Sequence, residues 1–202
     1  PNYASQSSFS ELTGFINTNQ SQIKAIGEIG LDFYRTFSAK NDQISLLTKC
    51  LKIARENDLP ICLHKRNADN ELIEILNDWY TPRDKNKCTP HGVFHAYDGS
   101  VKVAEWGLEH NFLFGIGGLI TYKNNSGLRT TIKNIGLNNL VLETDSPYLS
   151  PVPLRGKRNA PENLVHIVNK LSEIFQKSSN EIEKITDRNA SRLIGLKIEN
   201  AT

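Results

Sequence analysis

The stretch Leu59-Pro60-Ile61-Cys62-Leu63-His64 decides the fold class, because a short apolar run ends in a polar residue and leads into an amphipathic helix pattern. The same alternation recurs about every 25 to 35 residues, as βα units do. Strands that alternate with helices in this way form a parallel sheet. We therefore expect an α/β fold with strands at Ile23 to Ile29, Pro60 to His64, Gly92 to His95, Phe112 to Ile116 and Leu140 to Glu143.

Helix patterns occupy the segments between and after these runs. Pro161 followed by an acidic residue predicts a helix start, because proline is tolerated in the first turn and the acid meets the positive end of the helix dipole. Asn180 before Glu181 predicts another start in the same way. The helix candidates are Lys40 to Asn57, Ala68 to Tyr80, Val101 to His110, Gly127 to Ile135, Pro161 to Gln176 and Ser179 to Ile194.

Two architectures fit this alternation: an open doubly wound sheet and a (β/α)₈ barrel. A barrel needs eight strands and typically about 250 residues, whereas the 202 residues here hold five candidate strands. If the fold is a barrel, about three strands are missing. The length predicts a single domain over residues 1–202.

Composition narrows the class of protein. A hydrophobic content of 38% and a charged content of 23% are typical of a globular chain and exclude a disordered one. No apolar run approaches the roughly 20 residues that span a bilayer. The net charge of +2 leaves nucleic-acid binding open without arguing for it. Three cysteines without a C-x-x-C pair argue against a disulfide framework and indicate a reducing compartment, so we expect a cytoplasmic protein, or a nuclear one in a eukaryote.

Ionisable residues lie at the carboxyl ends of four apolar runs, where parallel α/β folds place their chemistry. These residues are Glu28, His64, His95 and Asp145. Two imidazoles and two carboxylates that converge from separate strands would suit zinc, manganese or magnesium. Two ions about 3.5 to 4 Å apart would stabilise the attacking and leaving oxygens of a hydrolytic reaction. The alternative is that Glu28 and Asp145 only pair with neighbouring cations.

Five segments, in this order and at this spacing, resemble the TatD family of metal-dependent deoxyribonucleases. They are Gly27-Glu28-Ile29-Gly30-Leu31-Asp32, His64-Lys65-Arg66, Gly92-Val93-Phe94-His95, Glu143-Thr144-Asp145-Ser146-Pro147-Tyr148-Leu149 and Arg155-Gly156-Lys157-Arg158-Asn159-Ala160-Pro161. The resemblance implies a TIM-barrel hydrolase that removes nucleotides from DNA ends with divalent ions, usually magnesium or manganese. Related members also deacylate mischarged transfer RNA.

The resemblance also implies roles for single residues. Glu28 is similar to a bridging carboxylate, and His64 and His95 resemble the imidazole ligands of the two following strands. Asp145 is similar to the aspartate that binds metal and accepts a proton from the attacking water. Glu28 and Asp145 are therefore the expected catalytic residues.

One departure from the family concerns the first strand, which normally carries a His-x-His pair that is absent from this chain. We expect a fragment that lacks about three N-terminal βα units, with Pro1-Asn2 lying just past the family's third strand. Glu28, His64 and His95 could then hold one ion, whereas this chain would supply only Glu28 and Asp145 to a second. Two ions are expected in the complete protein.

Basic and aromatic residues near the strand ends are candidates for binding DNA as single strands or ends. We assign substrate binding to Arg66, Arg155, Lys157 and Arg158, because the last three lie in the loop after the final strand, where barrels often bind phosphate. Three functions stay open: a phosphodiester hydrolase acting on DNA, an ester hydrolase acting on the aminoacyl end of transfer RNA, and a catalytically silent scaffold that binds nucleic acid. No membrane association is expected, and protein partners are unknown.

Overall fold

The computed structural model describes residues 2–4, 9–35, 37–82 and 89–196, and the statements below concern these residues. The chain divides into two compact units, Pro1–Val93 and Phe94–Thr202. The single domain expected from length stays a prediction. The strand pairs within each unit are parallel, as expected from the alternation of strands and helices.

The first unit contains three helices and the first strands. Its elements are α1 (Phe9–Asn19), β1 (Ile26–Asp32), α2 (Lys40–Glu56), β2 (Ile61–Arg66) and α3 (Asp69–Trp79), and β3 (Gly92–Phe94) begins at its end. β1 pairs in parallel with β2, with Gly30 opposite His64 and Asp32 opposite Arg66. The pairing is irregular between Ile26 and Ile29. The core includes fully buried leucines from both strands and from α2 and α3, namely Leu31, Leu47, Leu51, Leu63, Leu72 and Leu76.

The second unit contains α4 (Val101–Glu109), β4 (Phe112–Ile116), α5 (Ser126–Ile135), β5 (Leu140–Leu142), α6 (Leu164–Phe175) and α7 (Ser179–Ile194). β4 pairs in parallel with β5, with Phe114 opposite Leu140. The ring of Phe94 packs against those of Phe112 and Phe114 at centroid distances of 5.2 and 5.7 Å. Gly107 of α4 makes room for this cluster, since a Cβ there would lie 2.7 Å from the Phe114 ring.

Several predicted boundaries were wrong. β1 begins at Ile26 rather than Ile23 and ends at Asp32, and β2 continues to Arg66, because the two strands stay paired through Asp32 and Arg66. β3 and β5 end one residue earlier than predicted, and the helix predicted from Pro161 starts with a 3₁₀ turn over Pro161–Asn163.

The sequence analysis also missed α1. This helix contains residues of low helix propensity, including Thr13, Gly14 and Thr18. The hydroxyl groups of the two threonines donate to carbonyls four residues earlier, so they are accommodated inside the helix. Within the part of the chain that the structure describes, no helix has the length and apolar character needed to cross a membrane.

The predicted helix Ser179 to Ile194 is confirmed as α7, but Asn180 is not the residue that caps its start. The N-cap is Ser178, whose hydroxyl accepts from the Glu181 N–H, while the Glu181 carboxylate accepts from the Ser178 N–H, a reciprocal capping box. Hydrogen bonds from the Ser178 backbone and hydroxyl, followed by Lys177, hold the pKa of Glu181 below its usual value. The carboxylate is therefore ionised near neutral pH, and the box weakens only as the pH falls into the acidic range.

This assignment predicts different effects of two neighbouring substitutions. Ser178→Ala removes the cap and is expected to lower the free energy of unfolding by about 1 kcal/mol. Asn180→Ala, at the residue that sequence reasoning selected, is expected to change it by less than about 0.5 kcal/mol. Urea denaturation of both variants beside the parent chain measures the difference. A larger loss in Asn180→Ala than in Ser178→Ala would contradict the capping box.

Candidate metal centre

In the first unit, Glu28 of β1 contacts His64 of β2. The distance from Glu28 Oε1 to His64 Nδ1 is 2.7 Å. The strands can approach here because Gly30 lies opposite His64 with a φ of 148°, and a Cβ on Gly30 would lie 1.9 Å from the His64 carbonyl oxygen. Glycine is thus required two residues after Glu28 for the strands to pair in this register.

A second carboxylate lies on the other side of the same imidazole. Asp32 Oδ2 lies 3.5 Å from His64 Nε2, and the Asp32 residue is only 3% exposed. Its Oδ1 accepts from the backbone N–H groups of Tyr34 and Arg35, each at 2.9 Å. Burial alone would raise the pKa of Asp32, but these two hydrogen bonds, with the nearby His64 and Arg66, hold that pKa below its ordinary value. The carboxylate is therefore ionised at neutral pH.

Gln43 of α2 ties the end of β1 to the loop that follows it. The Gln43 side chain is buried, accepts from the Asp32 N–H at 2.8 Å and donates to the carbonyls of Asp32 and Ser38 at 3.1 and 2.9 Å. Both ends of its amide are thus used to hold main-chain groups. The position of the Asp32 carboxylate beside His64 therefore depends on a helix that contributes no ligand itself.

In the second unit, His95 lies between two carboxylates in a comparable way. His95 follows β3 directly, with its Nδ1 3.1 Å from Glu143 Oε2 and its Nε2 3.6 Å from Asp145 Oδ1. Glu143 Oε1 accepts from the Ala96 N–H at 2.7 Å. Gly115 of β4 leaves the space that Glu143 occupies, because a Cβ there would lie 2.2 Å from Glu143 Oε2. Both imidazole nitrogens of His95 thus face carboxylate oxygens.

The loop that carries Asp145 is held by one buried side chain. The Asn159 amide donates to the carbonyls of Thr144 and Tyr148, each at 2.7 Å, and its oxygen accepts from the Ala160 N–H and the Asn163 side chain. Asn159 is 3% exposed, so water has little access to the groups that bind it and cannot readily replace its hydrogen bonds. Asp145 itself has a φ of 56°, in the left-handed region that non-glycine residues seldom adopt. Asn159 thereby stabilises the backbone on both sides of Asp145.

The four predicted ligands are therefore placed in two groups, Glu28 with His64 and His95 with Asp145. Their expected position at the carboxyl ends of strands was wrong for Glu28 and His64, which lie inside β1 and β2 because both strands extend further than predicted. Sequence reasoning missed Asp32 and Glu143 as partners of the histidines. Both were within the quoted motifs: Asp32 is the last residue of β1, and Glu143 is the first after β5.

The predicted basic residues have different surroundings. The Arg66 guanidinium lies over the Tyr34 ring at 4.0 Å, and that of Arg155 lies over the Tyr122 ring at 4.5 Å. Lys157 and Arg158 are exposed on the loop after β5.

Carboxylate and imidazole atoms at these distances fit a divalent ion. Glu28 and His64 belong to a group of ligand atoms close enough to one another to hold a metal. Zinc and manganese accept mixed nitrogen and oxygen ligands, whereas magnesium prefers the carboxylates. The donor set therefore suits a divalent-metal centre without selecting the metal.

Comparison with known proteins also points to metal-dependent hydrolases. A family model described as TatD related DNase matches residues 1–195. YabD of Bacillus subtilis, named as an uncharacterized metal-dependent hydrolase, is 34% identical over 172 residues, which cover 85% of this chain and 65% of that protein. A Citrobacter rodentium protein named 3′-5′ ssDNA/RNA exonuclease TatD is 32% identical over 185 residues, which cover 89% of this chain and 68% of that protein. The chain thus spans a little less than two thirds of the Bacillus relative.

The fold comparison confirms the expected TIM-barrel class of TatD-like hydrolases. The crystal structure of YjjV, a TatD homologue from Escherichia coli K12, superimposes with a TM-score of 0.83 at 30% identity, and the match covers 94% of this chain and 71% of that one. Because the family model covers nearly the whole sequence and this structure shares the fold, the chain belongs to the family of TatD-related DNases.

Proposed function

We propose that this protein is a divalent-metal-dependent hydrolase that cleaves phosphodiester bonds of DNA from an end. The observation that carries the proposal is the pair of histidines, His64 and His95, each with a carboxylate within 3.1 Å. Family membership supports metal-dependent hydrolysis, and the Citrobacter relative named as an exonuclease supports a nucleic-acid substrate. Glu28, His64, His95 and Asp145 are the proposed metal ligands, with magnesium or manganese as the proposed metal.

A bound divalent ion would supply positive charge that polarises the phosphodiester and lowers the pKa of the attacking water. The protein's own groups have distinct tasks. Asp145 is the proposed acceptor of the water proton, since its side chain is 30% exposed and so open to solvent. Glu28 is the proposed second catalytic carboxylate, held by its 2.7 Å contact with His64. Asp32 and Glu143 would keep the two imidazoles in a fixed orientation.

Substrate binding is proposed for Arg66, Arg155, Lys157 and Arg158. Guanidinium groups bind phosphate through two parallel hydrogen bonds, and the ammonium of Lys157 adds a point charge. The aromatic rings beneath Arg66 and Arg155 restrict where those guanidinium groups lie. All four residues can therefore neutralise a polynucleotide backbone without being ligands of the metal.

Metal binding gives the first prediction from this proposal. His64→Ala is expected to weaken Mn²⁺ binding at least tenfold, because it removes the imidazole that contacts Glu28. His166→Ala removes an imidazole from α6 and serves as the matched control with unchanged affinity. Isothermal titration calorimetry on chains whose melting curves match measures both. Equal Mn²⁺ affinity in the His64→Ala variant and the parent would contradict the assignment of His64 as a ligand.

The second prediction from this proposal concerns catalysis. Release of nucleotides from single-stranded DNA in Mg²⁺ or Mn²⁺ is expected to stop with EDTA and to fall at least about 100-fold in Asp145→Asn, which cannot accept the proton. Asp187→Asn, on the exposed face of α7, is expected to keep full activity. The readout is acid-soluble nucleotide from a labelled oligonucleotide.

Three results would overturn the catalytic proposal in different ways. Activity that survives EDTA would exclude metal dependence. Full activity in Asp145→Asn would exclude that residue as the base. A folded chain that binds Mn²⁺ but releases no nucleotide would favour another substrate, and hydrolysis of aminoacyl-tRNA by that same chain would identify the ester-hydrolase alternative.

A further inference from the structure

The turn after β1 brings an aromatic ring to the end of β2. The Asp32 carboxylate accepts from the N–H groups of Tyr34 and Arg35, and the Phe33 N–H donates to the Arg66 carbonyl at 2.9 Å. The other oxygen of that carboxylate, Oδ2, lies 3.5 Å from His64 Nε2. One buried carboxylate therefore fixes both the histidine of the candidate metal centre and the backbone of Tyr34.

Strand geometry places Arg66 on the same side of the sheet as His64. The two residues are two positions apart in β2, and side chains at that spacing point to one face. The intervening Lys65 points to the other face, where its Nζ lies 2.8 Å from Asp69 and its side chain is only 6% exposed. Of the two cations at this strand end, Arg66 is thus the one on the face of the histidine.

The Arg66–Tyr34 pair offers two kinds of recognition at once. The guanidinium lies 4.0 Å from the centroid of the Tyr34 ring, and Tyr34 is 62% exposed. A guanidinium group over an aromatic face can still donate to a ligand oxygen from the N–H groups in its own plane. An exposed tyrosine ring is also a platform on which a nucleobase can stack.

We infer that Tyr34 and Arg66 form a nucleotide subsite, in which Arg66 binds a phosphate and Tyr34 stacks on the base of the same or the adjoining nucleotide. The inference rests on the proposed function and adds to it that the chain recognises a base as well as the phosphodiester. A phosphate alone would need only the cation. The exposed aromatic ring that lies against the Arg66 guanidinium is what favours a nucleotide over a simple phosphate ester.

The test is binding of short single strands by calorimetry, in the Asp145→Asn background so that the oligonucleotide is not consumed. One ligand is a thymidine pentanucleotide, and the other is a strand of the same length with abasic sites at all five positions. Tyr34→Ala is expected to weaken binding of the intact strand about tenfold and to leave the abasic strand unchanged, because stacking needs the base. Tyr34→Phe keeps the ring and is expected to bind both strands like its parent.

Two further variants separate the phosphate contact from a general surface effect. Arg66→Lys is expected to weaken the binding of both strands by a similar factor, about fivefold. The paired hydrogen bonds to phosphate are lost with either ligand. Tyr3→Ala removes a tyrosine that is 72% exposed in the same unit and is expected to change neither affinity.

The outcomes distinguish the subsite from the proposed function. Suppose that the parent binds the intact strand and that Tyr34→Ala binds it equally well, or loses affinity equally for both strands. The Tyr34–Arg66 pair then serves packing only, and the subsite is wrong while the proposed function stands. If the parent binds neither strand, the nucleic-acid part of the proposed function and the subsite are both wrong. Calorimetric Mn²⁺ binding by the same Tyr34, Arg66 and Tyr3 variants in the chain that retains Asp145 shows that each substitution leaves the metal centre intact.

Discussion

The contact between an imidazole and two carboxylates is the constraint on which the first unit depends. His64 can lie between Glu28 and Asp32 only when Gly30 faces it across the strand pair, because any side chain at that position would meet the His64 carbonyl. A shift of one residue in the β1–β2 register would turn every side chain of β1 to the opposite face. Burial of Leu31 and Leu63 opposes such a shift, so the apolar core holds the polar contact in place.

The second unit reaches a similar arrangement by different means. Its strands β4 and β5 are short, and His95 and Asp145 lie in loops rather than in strands. Hydrogen bonds between side chains and the backbone replace strand pairing there. The Glu143 carboxylate accepts from the Ala96 N–H, and the Asn159 amide donates to carbonyls on either side of Asp145. Loops carry function when a rigid scaffold positions them, and in this unit a buried asparagine supplies much of that scaffold.

The sequence predicted the strand and helix alternation well, because strongly apolar runs and amphipathic helices are local signals. It selected Glu28, His64, His95 and Asp145 by residue type and position. It did not identify Asp32 or Gln43, since the role of each depends on a contact with another element that no local pattern encodes. The helix α1 was missed for a related reason: threonine and glycine lower its intrinsic helix propensity, and tertiary packing decides whether such a segment becomes helical.

Charge explains why these contacts favour a cation rather than a closed set of ion pairs. The low pKa of Asp32 is maintained by hydrogen bonds from the protein's own backbone, so this carboxylate stays ionised at neutral pH whether or not a metal is bound. Glu28 on one side and Asp32 on the other place a carboxylate oxygen near each nitrogen of His64. A divalent cation fits such a concentration of acidic groups around an imidazole, and the β1–β2 strand pairing sets where these groups lie.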